Sequence, residues 1–163
     1  MSTATTTADP GSSSAAAAAQ STTHTYHCIC TQLVFATTTW LNRLPTRAST
    51  DKSHICTLAS TSETEDEKST SPHYATLTNT TLDANPTVIR LDDGFEKRYF
   101  ETCARCDLIV GYHLDKSQYE GSKTDKGCRD DVVYLIPGGL MTTDEMKSGK
   151  KMDADIGKVA AMT

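Results

Sequence analysis

Two closely spaced cysteine pairs, each beside a strand-like run, predict a mainly β protein in a chain poor in large aliphatic residues. The expected architecture is a small zinc-ribbon-like antiparallel sheet built from two cysteine-turn halves, with disordered flanks. Leu, Ile, Val and Phe total 26 of 163 residues, below the roughly 20% at which a fully folded chain becomes doubtful. The net charge of −5 is too small for the strongly charged disordered class. A compact folded part within polar flanks accounts for both observations.

Residues 1–23 form the first flank. Nineteen of these 23 are Ser, Thr, Ala or Gly, a composition that buries too little apolar surface to offset chain entropy. This tract lacks the basic start of a secretory signal and the arginines of a mitochondrial presequence, since the first Lys or Arg is Arg43. No apolar run approaches the roughly 20 residues that cross a bilayer. Nucleus or cytoplasm is the expected compartment, where thiols stay reduced. Six cysteines there point to metal before disulfides.

The folded domain is expected over 24–140. Tyr26-His27-Cys28-Ile29-Cys30 and Leu33-Val34-Phe35 have strand composition, so Cys28 and Cys30 belong to a hairpin turn. Trp40 to Pro45 forms a short apolar turn closed by proline. From about 46 to 86 the sequence is a polar insertion, with neither helical nor strand period through Ser60–Pro72 and room for one short ordered piece at His54-Ile55-Cys56. Order returns with Val88–Leu91 as a strand, Asp92-Asp93-Gly94 as a turn and Phe95–Phe100 as the returning strand. Cys103-Ala104-Arg105-Cys106 follows, then strands at Leu108–Tyr112 and 132–136, stopped by Pro137-Gly138-Gly139. Residues 141–163 make a polar tail, in which Thr142 and Glu145 have capping-box spacing.

Cys28, Cys30, Cys103 and Cys106 are the candidate metal ligands. Cys103-x-x-Cys106 has knuckle spacing, and Cys28-x-Cys30 is one residue shorter. His24 and His27 lie near enough to stand in for a thiolate, while Cys56 and Cys128 lack a close cysteine partner and are expected as bystander thiols. Four thiolates close a tetrahedral shell, which makes a Zn2+ ion structural rather than catalytic. A folded part of about 70–80 residues is marginal on its core alone. Structural zinc contributes on the order of 10–16 kcal/mol.

No nucleophile elbow, phosphate loop, zinc-protease helix or dinucleotide turn is present, so no enzymatic activity and no small-molecule substrate are expected. A redox C-x-x-C would want a βαβ setting that Cys103 lacks. Arg43, Arg47, Arg90, Lys97, Arg98 and Arg105 flank the ordered segments; ordinary solvated strand faces are expected, with a basic face on an acidic chain as the alternative. RNA binding, with Tyr99, Phe100 or Tyr112 stacking on bases, is the alternative they allow.

Tyr26-His27-Cys28-Ile29-Cys30 with Leu44-Pro45-x-Arg47 and Asp51, then Arg90-x-Asp92-x-Gly94-Phe95-Glu96-x-Arg98-Tyr99, Cys103-Ala104-Arg105-Cys106-x-Leu108 and Tyr112, resemble the STING ER exit protein family. The resemblance covers 24–46 and 87–115, with the strand at 132–136. It implies a non-enzymatic adaptor that promotes exit of a membrane protein from the endoplasmic reticulum, working with vesicle-coat and phosphoinositide machinery at its periphery. A spliceosome-associated nuclear role is the implied alternative, so the expected partners are proteins of a trafficking or spliceosomal assembly. The Ser/Thr-rich expansion between the halves, and the lack of a charged helical C-terminal extension, depart from longer members and resemble a fungal-type version.

Overall fold

A computed structural model describes residues 22–49, 51–58, 74–91, 94–119 and 126–149. Most of the 1–23 flank, residues 59–73 of the polar insertion, the Asp92-Asp93 step and 150–163 of the tail lie outside the described residues. No helix among the described residues is long and apolar enough to cross a membrane.

The fold is antiparallel β throughout, but it holds two sheets where a single small one was expected. The first runs β10-β1-β2-β4. It is built on the hairpin of β1 (His24–His27) and β2 (Leu33–Thr37), with β4 (Ala75–Leu77) and β10 (Met141–Thr142) at its edges. The second runs β3-β9-β8-β7-β5, with β6 also paired to β7. Its strands are β3 (His54–Thr57), β5 (Thr80–Leu82), β6 (Thr87–Leu91), β7 (Gly94–Cys103), β8 (Ile109–Leu114) and β9 (Val132–Leu135).

Both sheets grow because the segment read as a polar insertion supplies three strands, β4 to the first and β3 and β5 to the second. β3 pairs with β9, β4 with β2, and β5 with β7. These strands are three or four residues long and rich in Thr, too short to show a period of their own. Distant partners decide them. The start of the expected polar tail is likewise structured. Tyr26 pairs with Thr142 and His27 with Met141. Thr142 and Glu145 close the capping box of α1 (Thr143–Lys147).

Two clusters form the core. Val34, Phe35 and Ala75 of the first sheet pack with Cys56, Val110, Val133 and Leu135 of the second, so this cluster joins the sheets. The other cluster lies on the opposite face of the second sheet, around Ile89, Phe100, Tyr112, Leu114, Tyr134 and Ile136. Gly111 lets β8 approach β9, because a Cβ there would lie 2.8 Å from the Tyr134 carbonyl oxygen.

Candidate metal centre

Both cysteine turns are hairpin ends, and their lengths explain their different spacings. The first closes with Cys28 N–H donating to Gln32 O at 2.8 Å and Thr31 N–H donating to Cys28 O at 2.8 Å. The second closes with Cys103 N–H to Leu108 O at 2.8 Å and Asp107 N–H to Cys103 O at 2.9 Å. The second loop is therefore one residue longer, and its second cysteine falls one position later. In each, the residue after the second cysteine is left-handed: Thr31 at φ 71° and Asp107 at φ 57°. That conformation is unfavourable for a β-branched residue such as Thr. The turn holds it so that both sulfurs of a pair face inward.

The turns meet at the junction of the sheets. Cys28 Sγ lies 3.4 Å from Cys106 Sγ, and Cys30 Sγ 3.6 Å from Cys103 Sγ. All four sulfurs lie within 4.8 Å of one another. A disulfide needs about 2.05 Å, and all six cysteines are free thiols. A tetrahedral ion with metal–sulfur bonds near 2.3 Å places its sulfurs about 3.8 Å apart. The donor set thus fits a soft divalent ion that four thiolates enclose, and Cys28, Cys30, Cys103 and Cys106 could hold one.

The backbone is arranged for charge on sulfur. The Cys30, Gln32 and Leu108 N–H groups donate to the sulfurs of Cys28, Cys30 and Cys106. Burial pushes the Cys28 thiol far up and the Cys106 thiol up. Burial opposes ionisation of Cys30 as well, yet the Gln32 N–H and the neighbouring thiols bring it below the ordinary thiol value. Burial therefore works against charge on Cys28 and Cys106, and a bound cation offsets that cost.

Two residues outside the cysteines bind the turns together. Arg105 Nη1 donates to Cys30 O at 3.0 Å. Asn79, left-handed at φ 52°, lies where the chain passes from β4 in the first sheet to β5 in the second. Its Nδ2 donates to Leu33 O at 3.0 Å, and its carbonyl accepts from Ala104 N–H at 2.9 Å. Sequence reading missed Asn79. The only signal was an asparagine, a residue that tolerates left-handed backbone, inside a Thr-rich run.

The histidines lie outside the sulfur cluster. His24 stacks on Trp40 with ring centres 3.8 Å apart. His27 places Nδ1 3.2 Å from Thr31 O and Nε2 3.1 Å from Thr143 Oγ1. Cys56 and Cys128 also lie outside it. Burial pushes the Cys56 thiol up to about 12 and the Cys128 thiol up to about 11.

The remaining motif residues converge on a second place. Arg47 grips Glu96 with two hydrogen bonds of 3.0 and 2.6 Å and donates to Tyr112 Oη at 2.6 Å. Arg98 bridges Glu96 at 2.5 Å and Asp51 at 3.0 Å. Tyr112 donates to Asp51 Oδ2 at 2.6 Å and shares a 3.0 Å hydrogen bond with Ser53. The Arg98 guanidinium lies 4.0 Å over the Tyr112 ring. Burial works against ionisation of Glu96 and Asp51, but hydrogen bonds and the facing arginines outweigh it and hold both carboxyls below their ordinary range. Two cations and two anions leave the network neutral. It ties Arg47, Asp51 and Ser53 to the second sheet. The sequence signal was the spacing of Glu96 and Arg98, two apart and so on one strand face.

The aromatics proposed to stack on RNA are core residues here: Tyr99 and Phe100 are buried, and Tyr112 is fully so. Arg47 and Arg98 belong to the buried network, so they do not contribute to a basic face.

A family model described as STEEP1 domain matches residues 17–150. The match takes in both cysteine turns, the buried charge network and the segment between the halves.

Proposed function

Because the chain belongs to the STEEP1 domain family, the family of the STING ER exit protein, we propose that it is a non-enzymatic adaptor acting in export of a membrane protein from the endoplasmic reticulum. On this reading one structural Zn2+ is held by Cys28, Cys30, Cys103 and Cys106. The protein works from the membrane periphery through protein partners of the vesicle-coat and phosphoinositide machinery.

The observation that carries the proposal is the placement of four thiols from two distant hairpins within 4.8 Å of one another. Four thiolates would leave the ion no open position for a substrate, so the ion braces structure rather than reacts. The residues around it brace as well: Arg105 and Asn79 tie turn to turn.

Metal analysis of protein purified under reductant tests the foundation. About one zinc per chain is expected from the four-thiolate set, and less than half an equivalent overturns it. Export is tested separately, in cells lacking their own family member. Re-expression of the chain is expected to restore the exit rate of the family's membrane cargo, and a Cys30→Ser, Cys103→Ser variant is expected to fail. Equal rescue by that variant overturns the link between the metal centre and export. A chain that loads zinc yet rescues nothing overturns the trafficking role alone.

A further inference from the structure

The β6–β7 hairpin buries one face and presents the other. Register places Val88 opposite Lys97 and Arg90 opposite Phe95. Residues opposite one another, and residues two apart, share a sheet face. Val88, Arg90, Phe95 and Lys97 therefore form one outward patch, while Ile89, Glu96 and Arg98 are buried on the other face. Phe95 is 72% exposed and Val88 53%, the two most exposed large apolar side chains of the second sheet.

The charge of this patch departs from that of the chain. The protein carries −5 overall, yet both charged side chains here are cations. Neither Arg90 nor Lys97 has an ion pair among the described residues, whereas Arg47 and Arg98 on the opposite face are paired with carboxylates. β6 has β7 on one side and no strand on its other side among the described residues. An open strand edge is a template for an added strand.

We propose that this hairpin docks an extended acidic peptide, which adds as a strand along the free edge of β6. Its apolar side chains rest on Val88 and Phe95, and its carboxylates meet Arg90 and Lys97. Alternation supplies the specificity, because same-face side chains of the added strand recur at the spacing of Val88 and Arg90. A polyphosphate or an anionic bilayer fits less well. Neither engages the backbone N–H and C=O groups of an open strand edge as an added strand does. The inference rests neither on the metal centre nor on the export role.

Fluorescence anisotropy with the full chain tests it. The probe is a fluorescein-tagged octapeptide of Thr alternating with Glu and Phe, so that Glu and Phe share one face when extended. Saturable binding is expected, weakened about ten-fold or more by Phe95→Ser and by Arg90→Glu, as befits central anchors of a small interface. Replacing Glu by Lys in the peptide should abolish binding. Thermal unfolding and metal content should not change in either variant, because both side chains are exposed. Absence of saturable binding, or equal binding by the variants, overturns the proposal. So does tighter, substitution-sensitive binding of a twelve-nucleotide oligouridylate or of phosphatidylserine vesicles.

Discussion

Asn79 stands where the chain passes from β4 in the first sheet to β5 in the second, beside both cysteine turns. Two properties of the residue are used, a left-handed backbone and a side-chain amide. Substitution separates them. Asn79→Gly keeps the backbone and loses the amide; Asn79→Ala loses both, and left-handed alanine adds about 1–2 kcal/mol. Urea unfolding should therefore rank wild type above Gly and Gly above Ala, and equal Gly and Ala values would show that the backbone conformation is not held. Thiol chemistry gives a second expectation at this scale. With Cys56 fully buried and its thiol pushed up to about 12, iodoacetamide at pH 8 should leave it unlabelled until the chain unfolds. Labelling of Cys56 as fast as Cys106 in metal-free protein would contradict its placement in the core. The carboxylates of the charge network add a pH dependence. Asp51 and Glu96 ionise more readily folded than unfolded, so their stabilisation is present above their unfolded values near 4. It is lost as pH falls through the lower folded values. Glu96→Gln should flatten that acid limb of a stability–pH curve, and at neutral pH should destabilise by about 3–5 kcal/mol, the scale for breaking a buried ion pair. An unchanged acid limb would place the titration elsewhere.

At the scale of elements, hairpins do the positioning. The β1–β2 and β7–β8 hairpins each end in a cysteine turn, and each turn's length sets its cysteine spacing. Close packing of β8 on β9 holds the second hairpin in the sheet. Gly111→Ala would drive a Cβ against the Tyr134 carbonyl. Backbone cannot yield as a side-chain tip does, so the loss should be about 1–3 kcal/mol, read by thermal or urea unfolding; a neutral result would show that the two strands can separate there. The short helix α1 serves the first sheet, since its capping residue Thr142 also pairs with Tyr26. The strands of the second half and the β1–β2 hairpin were legible in the sequence, because each carries β-branched or aromatic residues bounded by turn formers. The strands β3, β4 and β5 were not legible, apart from the short piece at His54–Cys56. A strand of three threonine-rich residues has no pattern, and its pairing lies in a partner far along the chain.

For the whole molecule, the four cysteines are where the two sheets share a fastening. Cys28 and Cys30 come from the first sheet's hairpin, Cys103 and Cys106 from the second's. A metal bound there is folding free energy for the pair. A strong chelator should lower the melting temperature of the whole chain in one cooperative step. Loss of the first sheet alone, with the second unchanged, would show that the core cluster between them suffices. Binding requires thiolates, and desolvation works against ionisation of Cys28 and Cys106. Acidification should therefore release metal, and the release should be reversible on returning to neutral pH.

Residue types and local spacing by themselves determined the β character, the two cysteine pairs and the family motifs, because turn preference and strand composition act over a few neighbouring residues. Tertiary structure alone decided that there are two sheets, that Ser53 and the Asp51 and Arg98 side chains are buried in a charge network with Arg47 and Glu96, and that His24 and His27 lie outside the sulfur cluster. Those outcomes depend on pairings between residues tens of positions apart. An arginine is buried only if a carboxylate from another strand meets it, and nothing in its immediate neighbours records that meeting.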